Sequence, residues 1–271
     1  MGPDTAERSL AHWSEEGRSE MEAFYALAVE DYRQLALAAD WTATLGRHAR
    51  EGWRLLDVAC GSGKWPSALQ TVAGLDRADL PPLRYDLLDP SAFSVTEARG
   101  QLAPPFMPGR ELVMRIQDLP ADAGRYDVVW ATHALYAVPP DELVAGAARR
   151  VGARAPGGLG FVAQAASRSH YLVMYDAYRR DFGETTPYTT AEQIAGALTA
   201  AGAAVRTQWV RYQSSSSDRG IVEGFLQRCV FDNTIGLDEM ERARILGPYL
   251  AGCRRPGGSW VFDHEVALLW W

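Results

Sequence analysis

A turn of small residues after a short apolar run constrains the fold of this chain more than any other feature. The apolar run covers residues 53–58, and the small residues that follow it are Ala59, Gly61 and Gly63. Because its apolar residues run together instead of alternating, the run predicts a strand buried on both faces. A helical pattern follows over residues 66–72. The sequence therefore predicts a strand, a tight turn and a helix, with a backbone that approaches a ligand closely.

The spacing of the small residues distinguishes two classes of cofactor. A dinucleotide loop has G-x-G-x-x-G after the strand and places a pyrophosphate on the helix N-terminus. Here the pattern is Ala59-x-Gly61-x-Gly63, and Asp57 precedes it at the strand end. An acid beside the loop would repel a pyrophosphate but attract an ammonium group. The pattern resembles the first motif of class I S-adenosylmethionine-dependent methyltransferases. This resemblance implies that the four residues hold the amino-acid end of that cofactor.

The charge and cysteine content restrict the partners. The net charge is -7 and no basic stripe is visible, which disfavours a nucleic-acid substrate. There is no charged-then-apolar leader, and no apolar run long enough to span a bilayer. The 3 cysteines form no C-x-x-C pair, which indicates reduced thiols and neither a disulfide framework nor a zinc site. We therefore expect a cytoplasmic protein with no metal, no nucleic-acid partner and no membrane partner; the oligomeric state is left open.

Strands alternate with helices along most of the chain, which predicts a parallel sheet with helices on both faces. The predicted strands cover residues 53–58, 83–89, 111–116, 126–131, 159–163, 205–212 and 259–271. The predicted helices cover residues 5–48, 66–72, 92–101, 141–150 (capped by Asp141), 169–180, 190–201 and 221–250, with a polar link at 214–217. The late pair of strands fits the final antiparallel hairpin of the class I methyltransferase sheet. We expect an α/β, Rossmann-like doubly wound sheet of six parallel strands and one antiparallel strand.

The chain is predicted to divide into an arm and a main domain. Residues 1–50 would form a helical N-terminal arm or cap, and residues 51–271 the methyltransferase domain. Within that domain, segments at about 167–190 and 214–255 are expected to cap the substrate.

Four further residues complete the predicted cofactor site. Asp89 ends the second strand, where a carboxylate accepts hydrogen bonds from both ribose hydroxyls; the alternative is a helix cap or a surface acid. Asp118 resembles the methyltransferase acid that meets the adenine amino group, although Asp is also common in loops. Ser91 and Thr132 lie close to the strand ends and are assigned to the same site.

The exit of the fourth strand indicates the class of acceptor. Enzymes that methylate exocyclic amines of nucleic-acid bases carry an Asn/Asp-Pro-Pro-aromatic motif there. This chain has Thr132-His133-Ala134-Leu135 instead. A small-molecule acceptor is therefore expected.

A narrower resemblance, to histamine N-methyltransferase, is distant and extends nearly end to end. It rests on Asp89-Pro90-Ser91-Ala92, His133-Ala134-Leu135-Tyr136, Tyr188-Thr189-Thr190, Cys229-Val230-Phe231 and Phe262-Asp263-His264. The resemblance implies an acceptor cavity with aromatic walls formed by Tyr136, Tyr171, Tyr175, Phe182 and Phe231. It also implies that Glu30 holds a cationic amine. On one unbroken helix, however, Glu30 would lie opposite the apolar stripe and face solvent.

Two histidines replace polar amides of that family and put histamine itself in doubt. His133 and His264 can accept a proton near neutral pH, whereas amides cannot. They favour a flat heteroaromatic acceptor such as an indole, with His133 as base, alone or together with Glu30, and His264 as a further candidate. The alternative for each histidine is a hydrogen-bonded structural residue.

The resulting hypothesis is a methyltransferase that uses S-adenosylmethionine, yields S-adenosylhomocysteine and acts in natural-product biosynthesis. It would methylate a ring nitrogen or carbon of a small heteroaromatic amine, an arylethylamine-like indole or imidazole. Three alternatives stay open. They are an O-methyltransferase of a phenolic natural product, a non-catalytic protein that binds S-adenosylmethionine, and an NAD-dependent oxidoreductase, which the glycine spacing disfavours.

Overall fold

The computed structural model describes residues 5–120, 124–183 and 185–271. Its strands are β1 (Arg54–Val58), β2 (Leu83–Asp89), β3 (Phe106–Val113), β4 (Tyr126–Thr132), β5 (Arg154–Ala165), β6 (Arg206–Ser216) and β7 (Trp260–Trp270). Its helices are α1 (Thr5–His12), α2 (Arg18–Leu37), α3 (Trp41–Gly46), α4 (Lys64–Thr71), α5 (Ala92–Gly100), α6 (Leu143–Ala153), α7 (His170–Phe182), α8 (Ala191–Ala200), α9 (Arg219–Val230), α10 (Leu237–Arg242) and α11 (Leu246–Cys253).

The strands form a single sheet in the order β3-β2-β1-β4-β5-β7-β6. Strand β7 runs antiparallel to both of its neighbours, and the other pairings are parallel. The predicted sheet of six parallel strands and one antiparallel strand is therefore confirmed. The strand order reverses between β1 and β4, and open α/β sheets bind ligands in the crevice at that point.

Several predicted boundaries were wrong because pairing across the sheet overrides local sequence. The third strand starts at Phe106, before the predicted residue 111, since Phe106 pairs with Leu83 of β2. Pro108 lies inside this strand, and an edge strand tolerates a proline. Similarly, the polar link belongs to β6, where Ser216 lies opposite Trp260 of β7.

Two predicted helices also differ from the structure. Residues 221–250 contain three helices instead of one, because Phe231 ends α9 in a left-handed conformation with φ 51°. Asp141 does not cap α6; the N-cap position belongs to Glu142, which makes no side-chain capping bond.

The N-terminal helices pack on the same side of the molecule as the capping segments. Helix α2 is unbroken over 20 residues, and its Phe24 ring stacks on Phe225 of α9 with centroids 5.7 Å apart. Helix α1 then crosses the carboxyl edge of the sheet, where Ser9 lies near Tyr136. Within the described ranges, no helix is long and apolar enough to cross a membrane.

Candidate active site

A cavity of about 420 Å³ lies at the carboxyl ends of β1, β2 and β4. Among the predicted cofactor residues, those that line it are Asp57, Ala59, Gly61, Asp89 and Thr132. The cavity lies where the strand order reverses, and there the loops that follow β1, β2 and β4 all border the same crevice.

The β1–α4 turn contains two glycines, Gly61 and Gly63, whose missing side chains have different consequences. Gly61 has φ 52°, and a Cβ atom added there would meet no protein atom within 4 Å, so the open space lies toward the cavity. Gly63 has φ 74°, and a Cβ atom there would come 2.9 Å from Ala98 Cα. Gly63 does not line the cavity. Its lack of a side chain therefore serves packing against α5, and only Gly61 allows a ligand to approach.

Two buried acids face the cavity. Asp57 accepts a hydrogen bond of 2.6 Å from the Tyr85 hydroxyl, and burial raises its pKa to about 7, assisted by the charge of Asp89. Asp89 accepts backbone hydrogen bonds from Ser91 (2.9 Å) and Gly61 (3.0 Å), and burial raises its pKa to about 6. Neither acid forms a salt bridge with a described residue, so no cation offsets the cost of burying its charge. A ligand that brings an ammonium group and hydroxyl donors would supply what these acids lack.

Three other predicted cofactor residues differ in placement. Ser91 lies outside the cavity lining: it caps α5 through Ser94 and donates 2.7 Å to the Trp13 carbonyl, which ties the N-terminal arm to the cofactor loop. Asp118 is an exposed acid paired with Arg115 and does not line the cavity either. Thr132 does line it, and its buried Oγ1 has no hydrogen-bond partner within the described ranges.

The sequence reasoning missed several residues of this cavity. Gln117 takes the position expected of Asp118, and its amide donates 2.6 Å to Glu142. Lys64, the only lysine of the chain, lies 4.7 Å from the centroid of the Tyr25 ring. The Tyr25 hydroxyl lies 3.0 Å from Ser62 Oγ. The sequence offered one signal for these residues: the only lysine of the chain directly follows the glycine turn.

A second, narrower pocket of about 80 Å³ adjoins the first. The two share four lining residues, namely Trp13, Tyr32, His133 and Tyr136. The remaining walls of the narrow pocket come from α2, β5, α7, the segment before α8, and the end of α9, contributed by Phe24, Asp31, Gln164, Ala165, Tyr171, Leu172, Tyr188, Arg228, Cys229 and Phe231. We call this space the acceptor pocket.

His133 lies where the two cavities meet. It adopts φ 50° at the exit of β4, and its backbone N–H donates 2.8 Å to the Ala163 carbonyl. Such a conformation is uncommon for a residue other than glycine and is frequently associated with functional sites. Its Nε2 atom is buried without a hydrogen-bond partner in the part of the chain described, and burial lowers the pKa of the imidazole to about 4. The ring is therefore neutral at physiological pH.

The acid that reaches the acceptor pocket is Asp31 and not Glu30. Glu30 pairs with Arg33 at 2.9 Å on the outer face of unbroken α2, as the helical spacing indicated, and does not line either cavity. Asp31 is 3% exposed and accepts a hydrogen bond of 2.5 Å from the Tyr171 hydroxyl. Burial raises the pKa of Asp31 to about 7, and the hydrogen bond from Tyr171 opposes this rise.

Of the predicted aromatic walls, Tyr136, Tyr171 and Phe231 line the acceptor pocket. Tyr175 and Phe182 do not line it. Tyr175 stacks on Tyr188 with ring centroids 3.6 Å apart, and so supports a lining residue from behind.

His264, predicted as a further base, lies behind this wall. Its ring is 5.0 Å from Tyr171, and its Nε2 atom lies 2.9 Å from Ser214 Oγ. It lines neither cavity. The position of His264 therefore fits a hydrogen-bonded structural residue, the alternative given above for this histidine.

Helix α1 covers the junction of the two cavities. Arg8 donates a hydrogen bond of 3.0 Å to the Phe231 carbonyl, and the Ser9 and Tyr136 hydroxyls lie 2.9 Å apart. These contacts hold the N-terminal arm over the site. No group of three His, Cys, Asp or Glu side chains suited to a metal ion occurs in the described ranges.

The larger cavity fits S-adenosylmethionine by its chemistry. Open space at Gly61 lets the backbone approach a ligand. The buried carboxyls of Asp57 and Asp89 can accept hydrogen bonds from an ammonium group and from hydroxyl groups. The bound cofactor supplies a methyl group already activated for transfer. Asp57, Gly61 and Asp89 would hold the cofactor, and the acceptor pocket adjoins this cavity at His133.

Comparisons with known proteins agree with this assignment. A family model described as a methyltransferase domain matches residues 29–208. A solved candidate methyltransferase from Bacillus halodurans C-125 is 12% identical, with 86% of this chain and 98% of that chain covered and a TM-score of 0.58. Magnesium protoporphyrin IX methyltransferase from Synechocystis PCC 6803, solved with bound SAH, is 13% identical, with 95% and 96% covered and a TM-score of 0.54.

A SAM-dependent methyltransferase from Leishmania major is 15% identical, with 97% of this chain and 82% of that chain covered and a TM-score of 0.51. At these identities the solved structures establish the fold alone. No curated protein sequence matches the chain significantly. These matches give no support to the narrower resemblance to histamine N-methyltransferase. By the match of the family model over residues 29–208 and by its fold, the chain belongs to the methyltransferase domain family and is a class I S-adenosylmethionine-dependent methyltransferase.

Proposed function

We propose that the enzyme methylates a ring nitrogen or carbon of a small heteroaromatic amine, of the arylethylamine, indole or imidazole kind. The observation that carries this proposal is the acceptor pocket, which joins the cofactor cavity at His133 and combines aromatic walls with the buried carboxyl of Asp31. Aromatic walls favour a flat ring, since ring pairs add about 0.5–1.5 kcal/mol beyond area burial.

The amine part of the proposal rests on Asp31 in place of Glu30. A carboxyl whose pKa burial raises to about 7 gains most when a cation enters beside it. The Tyr171 hydroxyl holds one carboxyl oxygen in a fixed orientation, which presents Asp31 to the pocket. The guanidinium of Arg228 also lines the pocket but lies against aromatic rings, 4.5 Å from the Trp13 centroid.

Alignment supplies most of the rate enhancement in this account, because the methyl donor is already activated. The aromatic walls orient the ring so that its electron pair faces the methyl group, and α1 excludes water from the junction. His133 Nε2 then takes the proton that the attacking ring atom itself carries and loses on methylation, so that the methylated ring becomes neutral. The low pKa of His133 keeps the imidazole unprotonated and ready to accept it.

The same placement supports the division of the chain that we expected from the sequence. Residues 1–50 act as the capping arm through Trp13 and Tyr32, and residues 51–271 form the methyltransferase domain. The capping segments at about 167–190 and 214–255 contribute Tyr171 and Phe231 to the acceptor pocket. A cytoplasmic location and a role in natural-product biosynthesis stay predictions.

The proposal is tested by mass-spectrometric detection of methylated product from a panel of acceptors. Tryptamine and histamine represent heteroaromatic amines, and catechol represents phenols without a cation. We expect product from at least one amine and none from catechol, and the amine activity to depend on Asp31. Product from catechol alone would establish the O-methyltransferase alternative. Binding of S-adenosylhomocysteine without turnover on any acceptor would favour the non-catalytic alternative.

A further inference from the structure

The acceptor pocket contains a buried amide, Gln164, to which neither the family match nor the proposed chemistry gives a role. Gln164 is the second-to-last residue of β5 and is 2% exposed. Strand β5 neighbours β4, with Ala163 opposite Thr132, so Gln164 lies close to the His133 exit. It lines the acceptor pocket but not the cofactor cavity. Its side chain therefore meets the acceptor and not the methyl donor.

One hydrogen bond fixes which end of this amide is free. Gln164 Nε2 donates 3.1 Å to the Thr189 carbonyl. A carbonyl oxygen only accepts, so the amide cannot turn over without losing this bond. Thr189 is itself held, because its N–H donates to the Tyr136 carbonyl at 2.8 Å and its hydroxyl donates to the Val138 carbonyl at 2.9 Å. The orientation of the Gln164 amide is thus fixed by its hydrogen bond to Thr189, which is itself held in place by two hydrogen bonds.

The other end of the amide has no partner. Gln164 Oε1 is buried and accepts no hydrogen bond from the described residues. Burying a carbonyl oxygen without a donor is unfavourable, so a ligand that brings a donor recovers that free energy. Three neighbouring polar groups do not fill this role: ionised Asp31 can only accept, Tyr171 already donates to Asp31, and the Arg228 guanidinium lies against the Trp13 ring.

We infer that Gln164 Oε1 accepts a hydrogen bond from a ring N–H of the acceptor, at a position other than the atom that attacks the methyl group. This inference rests on the proposed function and narrows its substrate class to rings that carry an N–H donor. Asp31 would hold the amine and Gln164 the ring, which fixes the ring at two points. As methyl transfer places positive charge on the ring, the N–H becomes a better donor and the hydrogen bond strengthens.

The experiment compares two probes that differ only at this donor. Tryptamine carries the ring N–H, and its benzothiophene analogue has sulfur in the same place. Binding of each is measured by calorimetry to the full chain saturated with S-adenosylhomocysteine. We expect wild-type protein to bind tryptamine about ten-fold more tightly, which corresponds to one unsatisfied acceptor. In Gln164→Met, which keeps the length of the side chain and removes the acceptor, this preference should disappear.

Two further variants keep the result interpretable. Gln164→Glu, protonated in this buried place, retains a carbonyl acceptor and should retain the preference for tryptamine. Gln213→Met changes an amide on the exposed edge strand, where it pairs with Asp263, and should leave the preference unchanged. Because the two probes are first compared in the wild type, a Gln164→Met chain that fails to fold does not decide the outcome.

The outcomes separate this inference from the proposed function. Equal binding of both probes by the wild type, or an unchanged preference in a folded Gln164→Met, overturns the role of Gln164 and leaves the acceptor class standing. Binding of neither probe overturns the acceptor class, and the inference with it.

Discussion

The cofactor cavity and the acceptor pocket are built in different ways. The floor and walls of the cofactor cavity come largely from the ends of adjacent strands, so that Asp57, Gly61 and Asp89 follow directly from β1 and β2. The acceptor pocket combines side chains that are far apart in the sequence, such as Asp31 on α2, Tyr171 on α7 and Phe231 just after α9. The first is fixed by the sheet, whereas the second depends on how the capping helices pack. Changes in the two regions should therefore have separable effects.

The largest expected effect is in the cofactor cavity. Gly61→Val places a side chain in the open space that the cofactor needs, and should abolish measurable binding of S-adenosylhomocysteine in calorimetry. Gly52→Val is the matched control, because Gly52 has a similar φ of 69° and equally open surroundings but does not line the cavity. Normal binding by the Gly61 variant, or an equal loss in the control, would contradict the assignment of the cavity.

The next effect is expected at the junction of the two regions. His133→Asn keeps a residue that tolerates the left-handed conformation and removes the basic nitrogen. Turnover should fall about 10²–10⁴-fold, the usual contribution of a general base, with unchanged affinity for S-adenosylhomocysteine. Because the pKa of His133 is lowered to about 4, its titration should not shape the rate near pH 7. Unchanged turnover would leave alignment as the whole mechanism.

A smaller effect should be confined to the acceptor pocket. Asp31→Asn removes the charge proposed to hold the amine, and should raise the Michaelis constant for tryptamine about ten-fold or more. The neighbouring Glu30→Gln, on the outer face of α2, should have no such effect. In the wild type, amine binding should strengthen as pH rises through about 7, where Asp31 ionises, and Asp31→Asn should lose this dependence. Equal effects of both substitutions would refute the assignment of Asp31.

The smallest expected effect is on the pH dependence of folding stability, to which acids of both the cofactor cavity and the acceptor pocket contribute. The pKa values of Asp31 and Asp57 are raised to about 7 and that of Asp89 to about 6, so the folded protein binds more protons than the unfolded chain. These three acids therefore stabilise the ligand-free protein most below about pH 4, and this contribution is lost as pH rises toward 7. Saturating S-adenosylhomocysteine should reduce the loss, because its ammonium group favours ionised Asp57. Chemical denaturation at a series of pH values measures both trends. A stability that falls over this window as steeply in Asp31→Asn as in wild type would argue against the raised pKa of Asp31.

The sequence predicted the sheet and the cofactor cavity because both follow from contiguous patterns. A buried strand, a glycine turn and an acid at the next strand end occur within residues 53–89, and parallel topology brings strand ends together. The separate task of Gly63 was not predictable in this way. It depends on contact with Ala98 of α5, which local spacing does not reveal.

The acceptor pocket was predicted only in part. Tyr136, Tyr171 and Phe231 were placed in it by resemblance, but so were Tyr175, Phe182 and Glu30, which lie outside its lining. A signal for Asp31 was present in the sequence, since Ala28, Asp31 and Leu35 fall on one face of a helix. Gln164 carried no comparable signal, because its role arises from the contact with Thr189 and from the packing of α7 and α9 around it.

The most direct test of the account is a crystal structure of the protein with S-adenosylhomocysteine and tryptamine. We predict that the indole ring lies between Tyr171 and Phe231 and that the ammonium group of tryptamine contacts Asp31. A ring atom next to His133 should face the sulfur of S-adenosylhomocysteine, with a gap between them that is large enough for one methyl group. A ring bound outside the acceptor pocket, or an ammonium group directed away from Asp31, would contradict it.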